Sequence, residues 1–247
     1  MAAPRTLREP PIREALIDLR IAADPVIDSA KLSALRKTLA SEYPNVDEKR
    51  GVMAELRVEA GKVLQPAMKD LGFSGLFFTN NDKAQVAQFR SDGFTLNRLR
   101  PYVGADVLIL EAVRLWRLYV DLVRPSAVVR VGFRFINKLS LPYREGDAFE
   151  RFLTAAPGMP ADAPQNVSNF LTRMVAHETP DVAVVTQKLD AAPPGKATPT
   201  TIDIDVFSVG DLLPDEDSVQ GALQRLRVLK NRVFFALLTE EAVQLYL

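Results

Sequence analysis

The chain has 247 residues, 47% of them hydrophobic and 25% charged, with 31 Lys and Arg against 31 Asp and Glu. That length fits one large domain, a pair of small ones or a duplicated fold, and the composition is that of a globular protein. Zero net charge gives no general pull toward nucleic acid or an anionic membrane, and the lack of cysteine excludes disulfides, thiolate catalysis and sulfur-ligated zinc.

Met1 to Pro11 holds scattered charges and prolines where a signal peptide needs an apolar run, and no stretch approaches the roughly 20 apolar residues of a membrane span. The expectation is a soluble, cytoplasmic protein with no membrane partner. Ala15, Ile17, Leu19 and Ile21 alternate with Asp18 and Arg20, which predicts a strand. Asp28 or Ser29 caps a helix predicted from Ala30 to about Glu42, with Leu32, Leu35 and Leu39 as its stripe and Pro44 as its limit. Strands are predicted at Val52–Val58, Gly75–Phe78, Gln85–Phe89 and Phe94–Leu99, with a turn at Asn80-Asn81-Asp82 and a hairpin at Ser91-Asp92-Gly93. From Ala105 to Val123 the spacing of Leu108, Ala112, Leu115, Tyr119 and Leu122 becomes helical, and Pro125 stops it. This helix holds the single tryptophan, Trp116, expected in the core.

A strand is predicted at Val129–Ile136, a short helix at Asp147–Ala155, and a Pro/Ala-rich loop at Pro157–Pro164. Strands at Phe170–Ala176, Val182–Leu189 and Thr200–Phe207 follow, the last two joined by a turn at Pro193–Lys196. A helix from Ser218 to Leu237 and a last turn at Glu240–Leu245 end the chain. Residues 1–125 and 126–247 thus both read strand, helix, antiparallel strands, long helix. The fold class is α+β: a mostly antiparallel, curved sheet with the long helices on one side and an internal duplication, in the manner of helix-grip or TATA-box-binding-protein folds, an analogy of shape that carries no function.

Several strings occur together: Pro10-Pro11-Ile12-Arg13-Glu14-Ala15, Phe94 to Tyr102, Arg130 to Asn137, Ile202 to Phe207, and Lys230 to Phe235 with Leu238-Thr239-Glu240. On these the chain resembles a sporadically distributed bacterial family of about this length and uncharacterised function, which implies no catalytic residue. The family's patchy distribution resembles that of accessory genes in defence or toxin–antitoxin systems. The family carries a His ahead of Lys-Asn in the last long helix, where Val228 and Leu229 stand here.

Three sets of residues are candidates for chemistry. Asp203 and Asp205, two apart on a strand, project from one face and suit a shared divalent cation, or else pair with arginines across the sheet. Arg20 and Arg134, with Asn137 and Asn231, suit an anionic ligand held between helices and sheet; the alternative for the strand arginines Arg20, Arg98, Arg130 and Arg134 is a ladder with Asp18, Glu55, Glu59, Asp203 and Asp205. His177, the single histidine, reads as a surface turn residue rather than a general base. No Walker loop, Rossmann fingerprint or nucleophile elbow occurs, so no cofactor is expected and enzyme activity is disfavoured. The leading expectation is a non-enzymatic interaction protein that holds a protein partner or a second copy of itself. A binder of a small anionic ligand and a metal-dependent enzyme using Asp203 and Asp205 are the alternatives.

Overall fold

In a computed structural model, which describes residues 2–3, 5–22, 27–55, 58–59, 62–63, 67–143, 147–165, 167–189 and 198–247, the alternating Ala15, Ile17, Leu19 and Ile21 form strand β1 (Ile12–Ile21) and are all buried. The further strands are β2 (Asn45–Glu55), β3 (Ala67–Thr79), β4 (Gln85–Arg90), β5 (Gly93–Leu99), β6 (Val128–Leu141), β7 (Phe170–Glu178), β8 (Asp181–Leu189) and β9 (Thr198–Leu212). Among the described residues these make one nine-stranded open sheet in the order β2-β3-β4-β5-β1-β6-β9-β8-β7. Every neighbouring pair is antiparallel. Val58–Glu59 and Lys62–Val63 pair separately. The fold is therefore α+β on an antiparallel sheet, with β1 at its middle.

Two long helices, α3 (Ala105–Val123) and α4 (Glu216–Ala236), cover one face. Trp116 of α3 lies 6.4 Å from the Phe94 ring, and the Lys230 ammonium of α4 lies 3.9 Å from the centre of the Phe135 ring. Phe94 faces Leu19, Leu19 faces Val131, and Val131, Phe133 and Phe135 point the same way by the two-residue period of a strand. Both helices thus share the sheet's inner face, and Arg227 of α4 bonds Asp106 of α3 at 3.0 Å. Leu108, Ala112, Leu115, Trp116 and Tyr119 are buried on α3, as the spacing requires. α3 ends as Arg124 takes the left-handed φ of 54° before Pro125. No helix among the described residues is long and apolar enough to cross a membrane.

The local differences from the sequence reading have identifiable causes. The helix predicted from Ala30 to Glu42 is two short pieces, α1 (Ser29–Leu32) and α2 (Ala34–Thr38), because Ser33 turns back to donate its hydroxyl to the Ala30 carbonyl at 2.6 Å. Leu32, Leu35 and Leu39 are still buried together. The helix predicted at Asp147–Ala155 is a single 3-10 turn, Phe149–Arg151. Beyond it the backbone is taken by the end of α4: Thr154 donates to Leu237, Thr239 donates to Phe152, and Leu153 bridges Leu238. The turn predicted at Pro193–Lys196 lies outside the described residues. At Ser91-Asp92-Gly93 the hairpin is present, and a side chain on Gly93 would collide with the Leu19 carbonyl. The last turn is helix α5 (Glu240–Gln244).

Candidate functional site

The sheet's outer face bears the residues that alternate with the core: Asp18 and Arg20 on β1, Arg130, Gly132 and Arg134 on β6, and Asp203 and Asp205 on β9. In register Asp18 faces Gly132, Arg134 faces Asp205, and Asp203 faces Ile136. Asp18 collects the largest share of hydrogen bonds. It accepts from Arg90 at 2.9 Å, Thr95 at 2.7 Å, Arg130 at 2.9 Å and Arg20 at 3.1 Å. Arg130 then continues to Asp205 at 2.9 Å, and Arg134 forks onto Asp203 at 2.8 and 2.5 Å. At the other end Arg90 and Arg20 both reach Asp92. The result is a ladder of alternating charge running from β4 to β9.

Gly132 makes the middle of this ladder possible. A methyl group there would collide with the Arg130 guanidinium, which occupies the space above Gly132 and stacks on Phe207 at 4.5 Å. Burial works against the Asp18 charge, yet Arg90, the Thr95 hydroxyl and Arg20 outweigh it and hold the carboxyl below its usual range. For Asp205 the balance is reversed: burial raises its pKa, and Arg130 and Arg134 only partly offset that. Hydrogen bonding to Asp203 raises the already high pKa of Arg134.

The four residues considered for an anionic ligand do not converge. Arg20 and Arg134 lie on the outer face within the ladder. Asn137 is buried on the inner face, where its amide donates to the Ile202 carbonyl at 2.9 Å, and Asn231 is half-buried on α4. The Asp203 and Asp205 carboxylates each meet an arginine, and among the described residues no three His, Asp or Glu side chains gather as cation ligands do. Calorimetric titration with Mg²⁺ or Mn²⁺ is therefore expected to show no saturable binding. Saturable binding that disappears in the Asp203→Asn/Asp205→Asn variant would contradict this. His177 is not in a turn: it is exposed in β7, opposite Val182.

At the β9 end the ladder meets a surface groove of about 210 Å³ lined by Arg134, Arg173, Val184, Thr186, Asp203 and Asp205. Arg173 belongs to β7, faces Thr186, and among the described residues makes no ion pair. Among the described residues β7 is the edge of the sheet, and one side of its backbone pairs with no other strand. Its side chains are open on both faces: Leu171 is 68% exposed, Val175 47% and Met174 42%. The opposite edge, β2, instead carries Asp47, Glu48, Lys49 and Arg50 in succession, all exposed, the usual means by which a sheet edge is kept from pairing. Nothing in the period of Phe170–Ala176 distinguishes an edge from an interior strand, which is why Arg173 was not among the candidates.

Two features of the inner face also lie outside the expected set. Lys230 is only 8% exposed, and among the described residues no carboxylate pairs with it. Gln187 and Thr200 are fully buried, and among the described residues their side chains, like the Thr172 hydroxyl opposite Gln187, have no hydrogen-bond partner. Lys230 had a legible signal, since it falls at helical spacing with the buried Leu223, Leu226 and Phe234. No protein-family model matches the chain, and no curated protein matches it.

Proposed function

We propose that the chain is a non-enzymatic interaction protein of the cytoplasm that takes up an extended segment of a partner protein as a further strand along β7. The observation that carries this reading is the contrast between the two edges. Asp47 to Arg50 of β2 are charged residue after residue, ahead of the exposed Val52 and Met53, whereas Leu171-Thr172-Arg173-Met174-Val175-Ala176 offers, among the described residues, a free backbone edge with a single charge. Strand addition draws affinity from backbone hydrogen bonds and specificity from alternate side chains. On the outer face those are Leu171, Arg173 and Val175, so the fitting partner has apolar residues at alternate positions with an Asp or Glu opposite Arg173. Two copies of β7 pairing antiparallel about the sheet normal put no acidic residue opposite Arg173, which argues for a different chain as the partner.

Selection of a random peptide display library on the immobilised full chain tests this. Enrichment of alternating apolar residues around Asp or Glu is expected. Binding of the selected peptides should weaken about tenfold in Arg173→Ala, the order of one charge-assisted contact, and be lost in Leu171→Lys/Val175→Lys. Selected peptides without that pattern, or equal binding to the double variant, would defeat the reading.

The strand order supports an internal duplication of residues 1–125 and 126–247. In each half a first strand, β1 or β6, is followed by an antiparallel meander whose last strand, β5 or β9, returns to pair with it, and then by a long helix. β1 and β6 pair with each other at the junction. In our reading this arrangement resembles helix-grip and TATA-box-binding-protein folds, and the longer meander of the first half and the exposed β7 of the second are where the copies have diverged.

A further inference from the structure

The outer-face groove at the β9 end of the ladder has hydrogen-bond donors to spare, while its carboxylates are already engaged. Both oxygens of Asp203 accept from Arg134, and both oxygens of Asp205 accept from Arg130. Arg134 spends its Nε and Nη2 on that fork, and its Nη1 makes no hydrogen bond among the described residues. The Thr186 hydroxyl and the whole Arg173 guanidinium, which also line the groove, are likewise without a partner among the described residues. Register brings these groups onto one face. Thr186 stands between Arg173 of β7 and Asp203 of β9, and Val184 stands between Val175 and Asp205, which in turn faces Arg134. Within the ladder each aspartate is met by an arginine, so Arg173 adds a positive charge that no carboxylate among the described residues meets. The vacant donors therefore face an anion.

We propose that this groove binds a small monocarboxylic acid with an apolar body, its carboxylate held by Arg173, Arg134 and Thr186 and its body lying on Val184 and Val175. Guanidinium groups take carboxylates through paired N–H donors. One unmet cation beside two aspartates matches a single negative charge, whereas Asp203 and Asp205 would repel a dianion such as a phosphate monoester. The volume of about 210 Å³ sets the size of the ligand, being smaller than the roughly 300–1,000 Å³ of sites for drug-sized molecules. Val184, with Val175 opposite it, gives the groove an apolar wall, which sets the character of the ligand's body. The site shares Arg173 with strand addition at β7 but does not require it.

The test titrates the full ¹⁵N-labelled chain with sodium benzoate at neutral pH and constant ionic strength, followed by amide correlation spectra. Saturable shifts are expected at the amides of Arg173, Val184, Thr186, Asp203 and Asp205, with a Kd of about 1–10 mM, the order for so small a ligand. Benzamide, which has the same shape without the charge, and phenyl phosphate, which carries too much of it, should each bind at least about tenfold more weakly. Arg173 is exposed, so Arg173→Ala should keep the spectrum elsewhere while weakening benzoate at least about tenfold, the order of one charge-assisted contact. Absence of saturable shifts at those amides overturns the proposal. Benzamide or phenyl phosphate binding as tightly as benzoate, or benzoate binding unchanged in Arg173→Ala, overturns it as well. No peptide is present, so failure here leaves strand addition standing, and failure of the display selection leaves the groove standing.

Discussion

Replacing Trp116 by Ala is expected to destabilise the protein by about 3–5 kcal/mol, the range for truncating a fully packed large aromatic. Trp116 has no exposed surface. It stacks on Tyr119 at 5.3 Å and leans on Phe94, and Phe89 touches both Phe94 and Tyr119, so one ring removed loosens an aromatic column that joins α3 to β4 and β5. Its indole N–H also donates to the Pro214 carbonyl at 2.8 Å, just ahead of the Asp215 cap of α4. The variant therefore leaves a cavity and frees an acceptor at the entry to the second long helix. Urea unfolding followed by circular dichroism measures the loss; a loss under 1 kcal/mol would mean that the column is not packed as described.

Asp18→Asn should cost roughly 3 kcal/mol, the lower end of what breaking one side of a buried ion network costs. Among the described residues Arg90 would keep only the exposed Asp92 as an anionic partner, and Arg130 only Asp205. The pH dependence supplies an internal check. The folded-state pKa of Asp18 lies below its unfolded value, so the stabilisation is fully present above about pH 4 and is lost as pH falls through the folded-state pKa. Wild type and Asp18→Asn should therefore converge in stability toward acid pH and differ most near neutrality. A gap that stays constant down to acid pH would show that the charge of Asp18 is not what matters.

Much of the fold was legible because its signals are local. Alternation gave β1, the hairpin signal at Ser91-Asp92-Gly93 gave β4 and β5, and helical spacing with a proline beyond gave the bounds of α3. The beginning of β2 was hidden for a physical reason. As an edge strand, Asn45 to Arg50 buries almost nothing on either face, so no hydrophobic period marks it and only its backbone pairing with β3 makes it a strand. The turn at Phe149–Arg151 failed to become a helix because the end of α4 claims the next backbone groups, a contact more than 80 residues away in sequence. The ladder was legible as a class of interaction and not in its partners. That Asp18 meets Arg130, and Arg130 meets Asp205, depends on β6 lying between β1 and β9, which no local pattern encodes. The same applies to Arg20 and Arg134 facing away from Asn137: parity along a strand was readable, but which parity the helices cover is decided by the assembled sheet.

The account turns on β7 as the strand that receives a partner. Hydrogen–deuterium exchange of the full chain, with and without a peptide from the display selection, reads this at the backbone. Every second amide of an edge strand points away from the sheet and is free to exchange, and an added strand protects those amides. The account predicts slowed exchange confined to Phe170–Glu178, with β2 unchanged and no protection in Leu171→Lys/Val175→Lys. Protection along β2 or over α4, with β7 exchanging as before, would contradict it.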